Sequence, residues 1–331
     1  MKDFAGKVAF ITGGASGAGF GQAQIFSEAG MKVVIADVRQ DHMDKAAEHF
    51  KGQKDAQVHF IKLDVMDKDG WVKAADEAER VFGTPDLLIQ TAGVNNFGPI
   101  EASTYEDFDW VVGVNFLGVA YGLITWVPRM IKAGKGGHIS TTVSLAAFTA
   151  GGTYGASKAG ILALVEGYYS ALKPYGIEVS AMIPANINSN INDAMTKSRP
   201  EHLKNTGFNA TTEVADFMYN AMQTHGMDPR ELANRMKKGI EDGVFLIVPY
   251  PSGAKIFAER QERWALYSTV EGMKELEERA KRPQTEEQRR LEFETEGYNR
   301  AMDTNPGERS KVGVGMATPD RDWVDEKKRI K

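Results

Sequence analysis

Two tyrosines in this chain are each followed by a lysine four residues later, and each pair could do acid–base chemistry. The pairs are Tyr154 with Lys158 and Tyr169 with Lys173. Residues four apart on a helix face the same side, so each ammonium would lie beside a phenol. A nearby positive charge favours the phenolate, and lowering a tyrosine pKa from about 10 to about 7 requires about 4 kcal/mol. Either pair could therefore move a proton at neutral pH.

Both pairs lie on one predicted helix, at different distances from the strand that precedes it. Tyr154 stands near the start of the helix, close to the end of the strand predicted at 138–143. Tyr169 lies about 22 Å farther along the helix axis. We expect Tyr154 and Lys158 to act at the site, and Tyr169 and Lys173 to belong to helix surface and packing.

Further polar side chains lie near the same strand end or within an apolar helix. Ser144 follows the strand and could hydrogen-bond a substrate oxygen beside Tyr154; Thr142, on the same face, is the alternative. Asn115 is an amide within an apolar helical pattern, and a buried amide needs partners. We therefore expect a catalytic group of Asn115, Ser144, Tyr154 and Lys158.

A glycine-rich turn near the N-terminus predicts a nucleotide site. Thr12-Gly13-Gly14-Ala15-Ser16-Gly17-Ala18-Gly19 lies between a buried apolar strand and a helical pattern, as in the opening of a dinucleotide-binding βαβ unit. Gly13 permits the tight turn, Gly17 admits a pyrophosphate, and Gly19 lets the helix lie close to the strand. Free N–H groups at the helix start face the phosphates. The expected cofactor contacts here are Gly13, Ser16, Gly17, Ala18 and Gly19.

The end of the second predicted strand carries the residues that select the cofactor. Asp37 lies about 20 residues beyond the glycines, where an acid accepts hydrogen bonds from an adenosine ribose and repels a 2′-phosphate. Arg39 opposes this preference, because a guanidinium there could bind that phosphate. We expect NAD as the cofactor, with NADP as the alternative.

Strands and helices alternate as far as residue 250. Buried apolar runs predict seven strands, at 7–11, 32–36, 58–63, 87–90, 138–143, 177–183 and 245–250. Helical patterns fill the intervals, and we expect Pro128 to bend or break the one at 105–132. The fold class is therefore α/β, a doubly wound parallel sheet of Rossmann type, with the site at the carboxyl edge of the strands.

Beyond residue 187 the regular alternation fails. We predict a catalytic domain at 1–252 with a lid insertion at about 187–242, and a helical extension with a charged tail at 253–331. A long segment beside the reacting carbon is typical of a lid. Its soft and aromatic side chains would suit a large apolar substrate, or would pack the lid onto the sheet; they are Met182, Met195, Phe208, Phe217, Met218 and Met222.

Composition restricts the class of protein. The 331 residues include no cysteine, which excludes disulfides, thiolate metal sites and cysteine nucleophiles, and we expect no metal. A net charge of −5 argues against nucleic acid or an anionic membrane as a partner. We find no apolar stretch of transmembrane length and no signal peptide, and we expect a cytoplasmic enzyme.

Taken together, the motifs resemble the short-chain dehydrogenase/reductase superfamily over roughly residues 4–252. The residues that carry the resemblance are the glycine turn, Asp64-Val65, Thr91-Ala92-Gly93, Asn115, Ser144 and Tyr154-xxx-Lys158. The resemblance implies that Tyr154 is the acid/base, that Ser144 orients the substrate oxygen, and that Lys158 binds ribose and lowers the tyrosine pKa. It implies a relay water on Asn115 and further cofactor contacts from Asp64, Val65, Ala92, Gly93, Ile187 and Ser189.

Three positions depart from the family pattern. Thr91 replaces the usual asparagine, and we expect a weaker strand-to-strand hydrogen bond there. Ala185 replaces the usual glycine, so the backbone should avoid positive φ. The connection from Ser144 to Tyr154 is shorter than usual, which weighs against Ser144.

Several stretches, among them Val94-Asn95-Asn96-Phe97-Gly98-Pro99-Ile100-Glu101, are similar to the bacterial Cα-dehydrogenases that oxidise the benzylic alcohol of lignin-derived β-aryl ethers. This resemblance implies an NAD-dependent oxidoreductase acting on a secondary aromatic alcohol. The alternatives are a ketone reductase or hydroxysteroid-type dehydrogenase, a nucleotide-sensing protein without turnover, and a mainly structural oligomer. In the superfamily, helices equivalent to 105–132 and 154–173 commonly pair across a two-fold axis, so we expect a homodimer or homotetramer.

Overall fold

Seven parallel strands form one sheet, as the alternating pattern predicts. The strands are β1 (Val8–Thr12), β2 (Lys32–Asp37), β3 (Gln57–Lys62), β4 (Leu87–Gln90), β5 (Gly137–Thr142), β6 (Ile177–Met182) and β7 (Leu246–Ile247). Their order across the sheet is β3-β2-β1-β4-β5-β6-β7. The computed structural model describes residues 1–96, 100, 103–149, 152–191, 197–203, 226–250 and 253–281.

Nine helices accompany the strands within these described ranges. They are α1 (Gly17–Glu28), α2 (Gln40–Lys51), α3 (Lys68–Val81), α4 (Tyr105–Val112), α5 (Gly118–Ala133), α6 (Gly152–Ala171), α7 (Pro229–Asp242), α8 (Gly253–Tyr267) and α9 (Val270–Ala280). Helices α3, α5 and α6 contribute to the apolar core on one face of the sheet. Helices α1, α2 and α7 contribute to the core on the other face.

Alternating side chains of each strand supply the two cores, because successive residues of a strand point to opposite faces. On β1, Phe10 packs between Trp71 of α3 and Trp126 of α5, with ring centroids 6.1 and 5.1 Å apart. Its neighbour Ile11 belongs to the core beneath α1. Because the sheet is buried on both faces, its strands are continuous apolar runs in the sequence. The first six predicted strands agree with the structure to within one residue at each end, whereas β7 is shorter than 245–250.

The long helical pattern at 105–132 forms one apolar rod with an internal irregularity. A π-helical turn, Gly113–Leu117, joins α4 to α5. Of the two expected effects of Pro128, a bend or a break, the break is not observed, because α5 continues to Ala133. Pro128 and the residue four before it, Ile124, are both on the exposed side, so the carbonyl that the proline leaves unpaired can bond water.

Length and composition alone would allow the rod Tyr105–Ala133 to span a membrane, which the sequence analysis overlooked. Most of its most apolar stretch is buried inside the protein. Trp110, Leu123 and Trp126 are among its buried residues. The rod is therefore a core helix of this fold.

The last part of the predicted lid at about 187–242 is the helix α7, which packs on the core. Helix α7 lies against α1, and a Cβ built on Gly21 would be 2.3 Å from the carbonyl oxygen of Pro229. Leu232, Met236 and Ile240 are fully buried in the core. An amphipathic helix with such a buried stripe is part of the domain, and the lid remains a prediction only for residues before Pro229. The helical extension predicted at 253–331 is divided, within its described residues, into α8 and α9, and Thr269 caps the second helix.

Candidate active site

Tyr154 and Lys158 lie together in the first turns of α6, at the carboxyl end of β5. The Lys158 side chain is buried, and its ammonium donates a hydrogen bond to the carbonyl oxygen of Thr142 at 3.0 Å. The same ammonium lies 5.6 Å from the centroid of the Tyr154 ring. Burial lowers the pKa of Lys158 to about 8. The ammonium is thus held at the strand end by the last residue of β5.

Ser144 lies beside the phenol of Tyr154, although the connection between them is short. Burial raises the pKa of Tyr154 to about 12, and a hydrogen bond with the Ser144 side chain opposes that rise. The Ser144 hydroxyl also accepts a hydrogen bond from the Ala146 amide at 3.1 Å. Thr142, the alternative to Ser144, instead presents its carbonyl to Lys158. The short connection therefore brings Ser144, and not Thr142, to the phenol.

Asn115 lies in the π-helical turn, and its fully buried side chain uses both ends of the amide. Its Oδ1 accepts from the Val94 amide at 2.8 Å, and its Nδ2 donates to the Val94 carbonyl at 2.9 Å and to the Ser157 hydroxyl at 3.0 Å. A Cβ built on Gly93 would lie 3.3 Å from the Asn115 Oδ1 and 3.6 Å from the Lys158 Nζ. Asn115 thus fixes the segment that follows β4 against α6.

The glycine turn has the geometry that the sequence predicts. Gly13 has φ +64°, and a Cβ there would lie 2.7 Å from the Cα of Ala92. A Cβ on Gly19 would lie 2.1 Å from the carbonyl oxygen of Gly13, so α1 lies directly against the turn. Ser16 precedes α1 without a side-chain cap, and the first turn, which contains Ala18, carries no acid. The helix start therefore keeps the partial positive charge that suits a phosphate.

The loop after β6 meets the glycine turn on its other side. Gly17 has φ +50°, and a Cβ there would lie 2.8 Å from the Cβ of Ser189. Ile187 is buried and pairs with Met227 in a parallel bridge. A side chain at position 17 larger than that of glycine would fill the space at the start of α1. The cradle of Gly13, Gly17 and Ser189 therefore fits a dinucleotide pyrophosphate.

Asp37 is buried at the end of β2 and accepts amide hydrogen bonds from Ala15 at 3.1 Å and Arg39 at 3.0 Å. Burial raises its pKa, and the two backbone hydrogen bonds act in the opposite direction. The Arg39 guanidinium forms two hydrogen bonds with Asp41, at 2.7 and 2.5 Å. This hydrogen bonding lowers the pKa of Asp41 to about 2. Arg39 is thus engaged with Asp41, beside the acid expected to meet the ribose.

Asp64 and Val65 lie farther out, after β3 at the edge of the sheet. Asp64 is exposed and accepts from the Met66 amide at 2.9 Å. Val65 is buried against Gly118, and its carbonyl accepts from the Trp71 indole at 2.9 Å. The predicted site residues therefore form a band along the carboxyl edge, from β3 to the loop after β6.

The second tyrosine–lysine pair packs on the helix, as expected. The Tyr169 ring lies 4.5 Å from that of Phe245, between centroids. The Lys173 ammonium lies 4.3 Å from the Tyr169 ring centroid, and Lys173 is exposed. The same spacing therefore gives a packing contact at the far end of α6, whereas Tyr154 and Lys158 lie at the carboxyl end of β5.

Thr91 does not weaken the contact between strands, contrary to expectation. Its hydroxyl bonds the Thr142 hydroxyl at 2.8 Å and donates to the Gln22 Oε1 on α1 at 2.7 Å. Gln22 is fully buried, and the sequence analysis missed it. The sequence signal that could have indicated Gln22 is a polar residue among the buried positions of α1. Gln22, Thr91 and Thr142 together tie α1, β4 and β5 beneath the site.

Two smaller expectations concern the loop after β6 and the apolar pocket. Ala185 avoids the left-handed region, as expected, since every described residue with positive φ is glycine. Of the two alternatives for Met182, pocket surface or packing, the structure favours packing, because its side chain is fully buried in the core. The other five predicted pocket residues, Met195, Phe208, Phe217, Met218 and Met222, lie outside the described residues.

Comparisons with known proteins agree with this geometry. Residues 7–200 match the short chain dehydrogenase family. A C alpha-dehydrogenase of Sphingobium sp. (strain NBRC 103272 / SYK-6) is 50% identical over 255 residues, which cover 76% of this chain and 83% of that protein.

Two solved structures share the fold over most of this chain. The apo form of LigD from Sphingobium sp. strain SYK-6 is 43% identical, with a TM-score of 0.66 over 81% of this chain and 99% of its own. A short chain dehydrogenase/reductase from Burkholderia phymatum, solved in complex with NAD, is 30% identical and has a TM-score of 0.74. The match covers 81% of this chain and 96% of that chain. With its glycine turn, its Tyr154–Lys158 pair and a family match over more than half its length, this chain belongs to the short-chain dehydrogenase family.

Proposed function

We propose that this protein oxidises a secondary benzylic alcohol of a lignin-derived aromatic compound to the ketone, with NAD as the hydride acceptor. The observation that carries the proposal is the placement of Ser144 and Lys158 around the Tyr154 phenol. The substrate class is supported by the 50% identity to a C alpha-dehydrogenase. The preference for NAD is supported by the buried Asp37 carboxylate and by the pairing of Arg39 with Asp41.

The reaction removes a hydride from the carbinol carbon and a proton from its hydroxyl. When bound, NAD supplies the hydride acceptor and a positively charged ring beside the phenol. Tyr154, as the phenolate, accepts the hydroxyl proton. Ser144 hydrogen-bonds the substrate oxygen and orients it toward Tyr154. Lys158, held by the Thr142 carbonyl, favours the phenolate through its charge.

The Tyr154 phenolate requires strong stabilisation. Lowering its pKa from about 12 to about 7 corresponds to about 7 kcal/mol. The Ser144 hydrogen bond and the Lys158 ammonium supply part of this, and both come from buried side chains, where electrostatic interactions are stronger than in water. Asp37 and the glycine turn hold the cofactor, and Asn115 fixes Val94, next to Gly93, against Ser157 on α6.

A substrate panel tests the proposal. Purified protein is incubated with benzylic alcohols, steroids and aliphatic alcohols, each with NAD and with NADP, and the absorbance of the reduced cofactor is followed. We expect the highest kcat/KM with benzylic alcohols and NAD. Preferential turnover of steroids would favour a hydroxysteroid-type dehydrogenase. Tight cofactor binding without turnover of any alcohol or ketone would favour a sensing protein.

A further inference from the structure

The C-terminal extension contacts the turn that directly follows Ser144. This turn, residues 145–149, begins with a short 3₁₀ segment. The Arg260 guanidinium on α8 donates to the carbonyl oxygen of Ala147. Arg263, one turn later on α8, donates to the next carbonyl along the turn at 3.2 Å. Two side chains from one helix therefore bind adjacent carbonyls of the same short turn.

Aromatic rings complete this contact. The Phe257 and Phe148 centroids are 4.4 Å apart. The Arg260 guanidinium lies 5.6 Å from the Phe148 centroid and 4.3 Å from the Trp264 centroid. Burial and the charge of Arg263 lower the pKa of Arg260. Removing the Arg260 guanidinium from water costs free energy. Its hydrogen bond to the Ala147 carbonyl and its contacts with the Phe148 and Trp264 rings offset that cost.

The opposite side of the turn lies against α6, close to Tyr154. A Cβ built on Gly155 would be 2.8 Å from the carbonyl oxygen of Ala146. The turn is thus enclosed between the helix that carries the phenol and the helix that carries Arg260. A shift of α8 would therefore be transmitted to the turn.

The turn at 145–149 also fixes the orientation of Ser144. The Ala146 amide donates to the Ser144 hydroxyl at 3.1 Å, and the Ala147 amide donates to the Ser144 carbonyl at 3.1 Å. The Ser144 hydroxyl is therefore held by Ala146, the residue directly before the two whose carbonyls α8 binds. That hydroxyl is the group beside Tyr154.

We propose that α8 belongs to the active site, with Arg260 as a positioning residue that holds the turn after Ser144 and thereby directs the Ser144 hydroxyl toward Tyr154. The inference rests on the proposed function, in which Ser144 and Tyr154 meet the reacting oxygen. It assigns a role in catalysis to the part of the chain beyond the family match at 7–200.

Kinetics of Arg260 variants test this role in the full chain. Arg260→Met removes the charged donor and keeps the length of the side chain. We expect kcat to fall about tenfold, because small displacements of an orienting group are costly, while the Kd for NAD changes by less than about twofold. Arg260→Lys should recover part of the loss. Arg279→Met is the matched control, because Arg279 pairs with Glu262 and Glu275 inside the extension, and it should leave kcat unchanged.

A double-mutant cycle separates positioning from a general structural effect. If Arg260 acts through Ser144, Arg260→Met should lower kcat by less than about twofold when added to Ser144→Ala. A tenfold further loss in that background would overturn the inference. An unchanged kcat for Arg260→Met in the wild-type background would overturn it as well.

Hydrogen exchange provides a readout that does not depend on turnover. The amides of 145–149 should exchange faster in Arg260→Met than in the wild type or in Arg279→Met, and equal exchange in all three would overturn the inference. Absence of turnover in the wild type with every alcohol would instead refute the proposed function, while the exchange measurement would still test the contact. If Arg260→Met fails to fold, Arg260→Lys and Phe257→Leu are used for the same comparison.

Discussion

The Lys158 ammonium lies 5.6 Å from the centroid of the Tyr154 ring, and burial shifts the two pKa values in opposite directions. Burial raises the pKa of Tyr154 to about 12 and lowers that of Lys158 to about 8. Both shifts favour the neutral forms, whereas the proposed reaction uses the charged ones. Keeping this pair in its charged forms therefore lowers the free energy of unfolding, which is a common feature of active sites.

Replacing Lys158 should stabilise the protein without cofactor. The folded pKa of about 8 lies below the unfolded value of about 10.4, so below pH 8 the folded state bears the full cost of charging the buried amine. The shift corresponds to about 3 kcal/mol, less about 1 kcal/mol for the lost hydrogen bond to Thr142. We expect Lys158→Met to raise the free energy of unfolding by about 2 kcal/mol at pH 7.

The pH dependence distinguishes this cause from better packing. Above pH 8 the folded amine is neutral, and the remaining cost of removing the proton of the unfolded lysine falls to zero as pH approaches about 10.4. The advantage of Lys158→Met should therefore fall by about 3 kcal/mol and reverse to a loss of about 1 kcal/mol, that of the hydrogen bond to Thr142. Urea denaturation at a series of pH values measures it. Lys173→Met is the control, because Lys173 is exposed, and it should change stability little. An advantage that stays constant with pH would show that charge burial is not the cause.

Tyr154→Phe should reduce kcat by about 10²–10⁴-fold, since it removes only the hydroxyl that moves the proton. Binding of NAD, measured by titration, should remain close to that of the wild type. Tyr169→Phe is the control, because the Tyr169 ring packs against Phe245 at the far end of the same helix. If Tyr169→Phe proved the more damaging change, the proposed site would be misplaced.

Local patterns predicted the sheet and much of the site, because these depend on short-range periodicity and on motifs with fixed spacing. The strands, the glycine turn and the Tyr154–Lys158 pair all belong to this class. The π-helical turn around Asn115 has no comparable local pattern. The break at Thr269 was missed, because apolar spacing continues from α8 into α9.

Contacts between distant parts of the chain were not predictable in the same way. Thr91 seemed a weakening substitution until the structure placed Gln22 of α1 beside it. The contact of Arg260 with the turn after Ser144 joins residues more than a hundred positions apart. Nothing in the local composition of either segment indicates the other.

Cofactor preference should depend on two acids with different roles. Asp37→Ala removes the carboxylate expected to bind the ribose and should lower kcat/KM for NAD by about tenfold. Asp41→Asn should release the Arg39 guanidinium from its ion pair and raise kcat/KM for NADP, because guanidinium binds phosphate well. Steady-state kinetics with both cofactors measure these effects. A wild-type protein that prefers NADP would show that Arg39 dominates over Asp37.

Asn115→Ala should reduce stability as well as turnover, unlike Tyr154→Phe. The change leaves the buried amide and carbonyl of Val94 without their side-chain partners, and unsatisfied buried groups cost about 1–3 kcal/mol each. We expect the free energy of unfolding to fall by about 2–4 kcal/mol in urea denaturation. An unchanged stability together with lost turnover would instead favour a purely catalytic role, such as holding a relay water.

The α4–α5 rod carries apolar side chains that are exposed among the residues the structure describes. Tyr105 is 79% exposed and Ile124 63% exposed, and Phe108 and Leu117 are also exposed. Large apolar side chains left exposed on one helical rod make that rod a candidate for a protein–protein contact. We expect a homodimer or homotetramer that buries this rod, and Ile124→Asp should shift light scattering at micromolar concentration toward the monomer. Val72→Asp is the matched control, because Val72 is an exposed apolar residue on α3, and it should leave the assembly unchanged. A wild-type protein that is strictly monomeric under these conditions would reject the prediction.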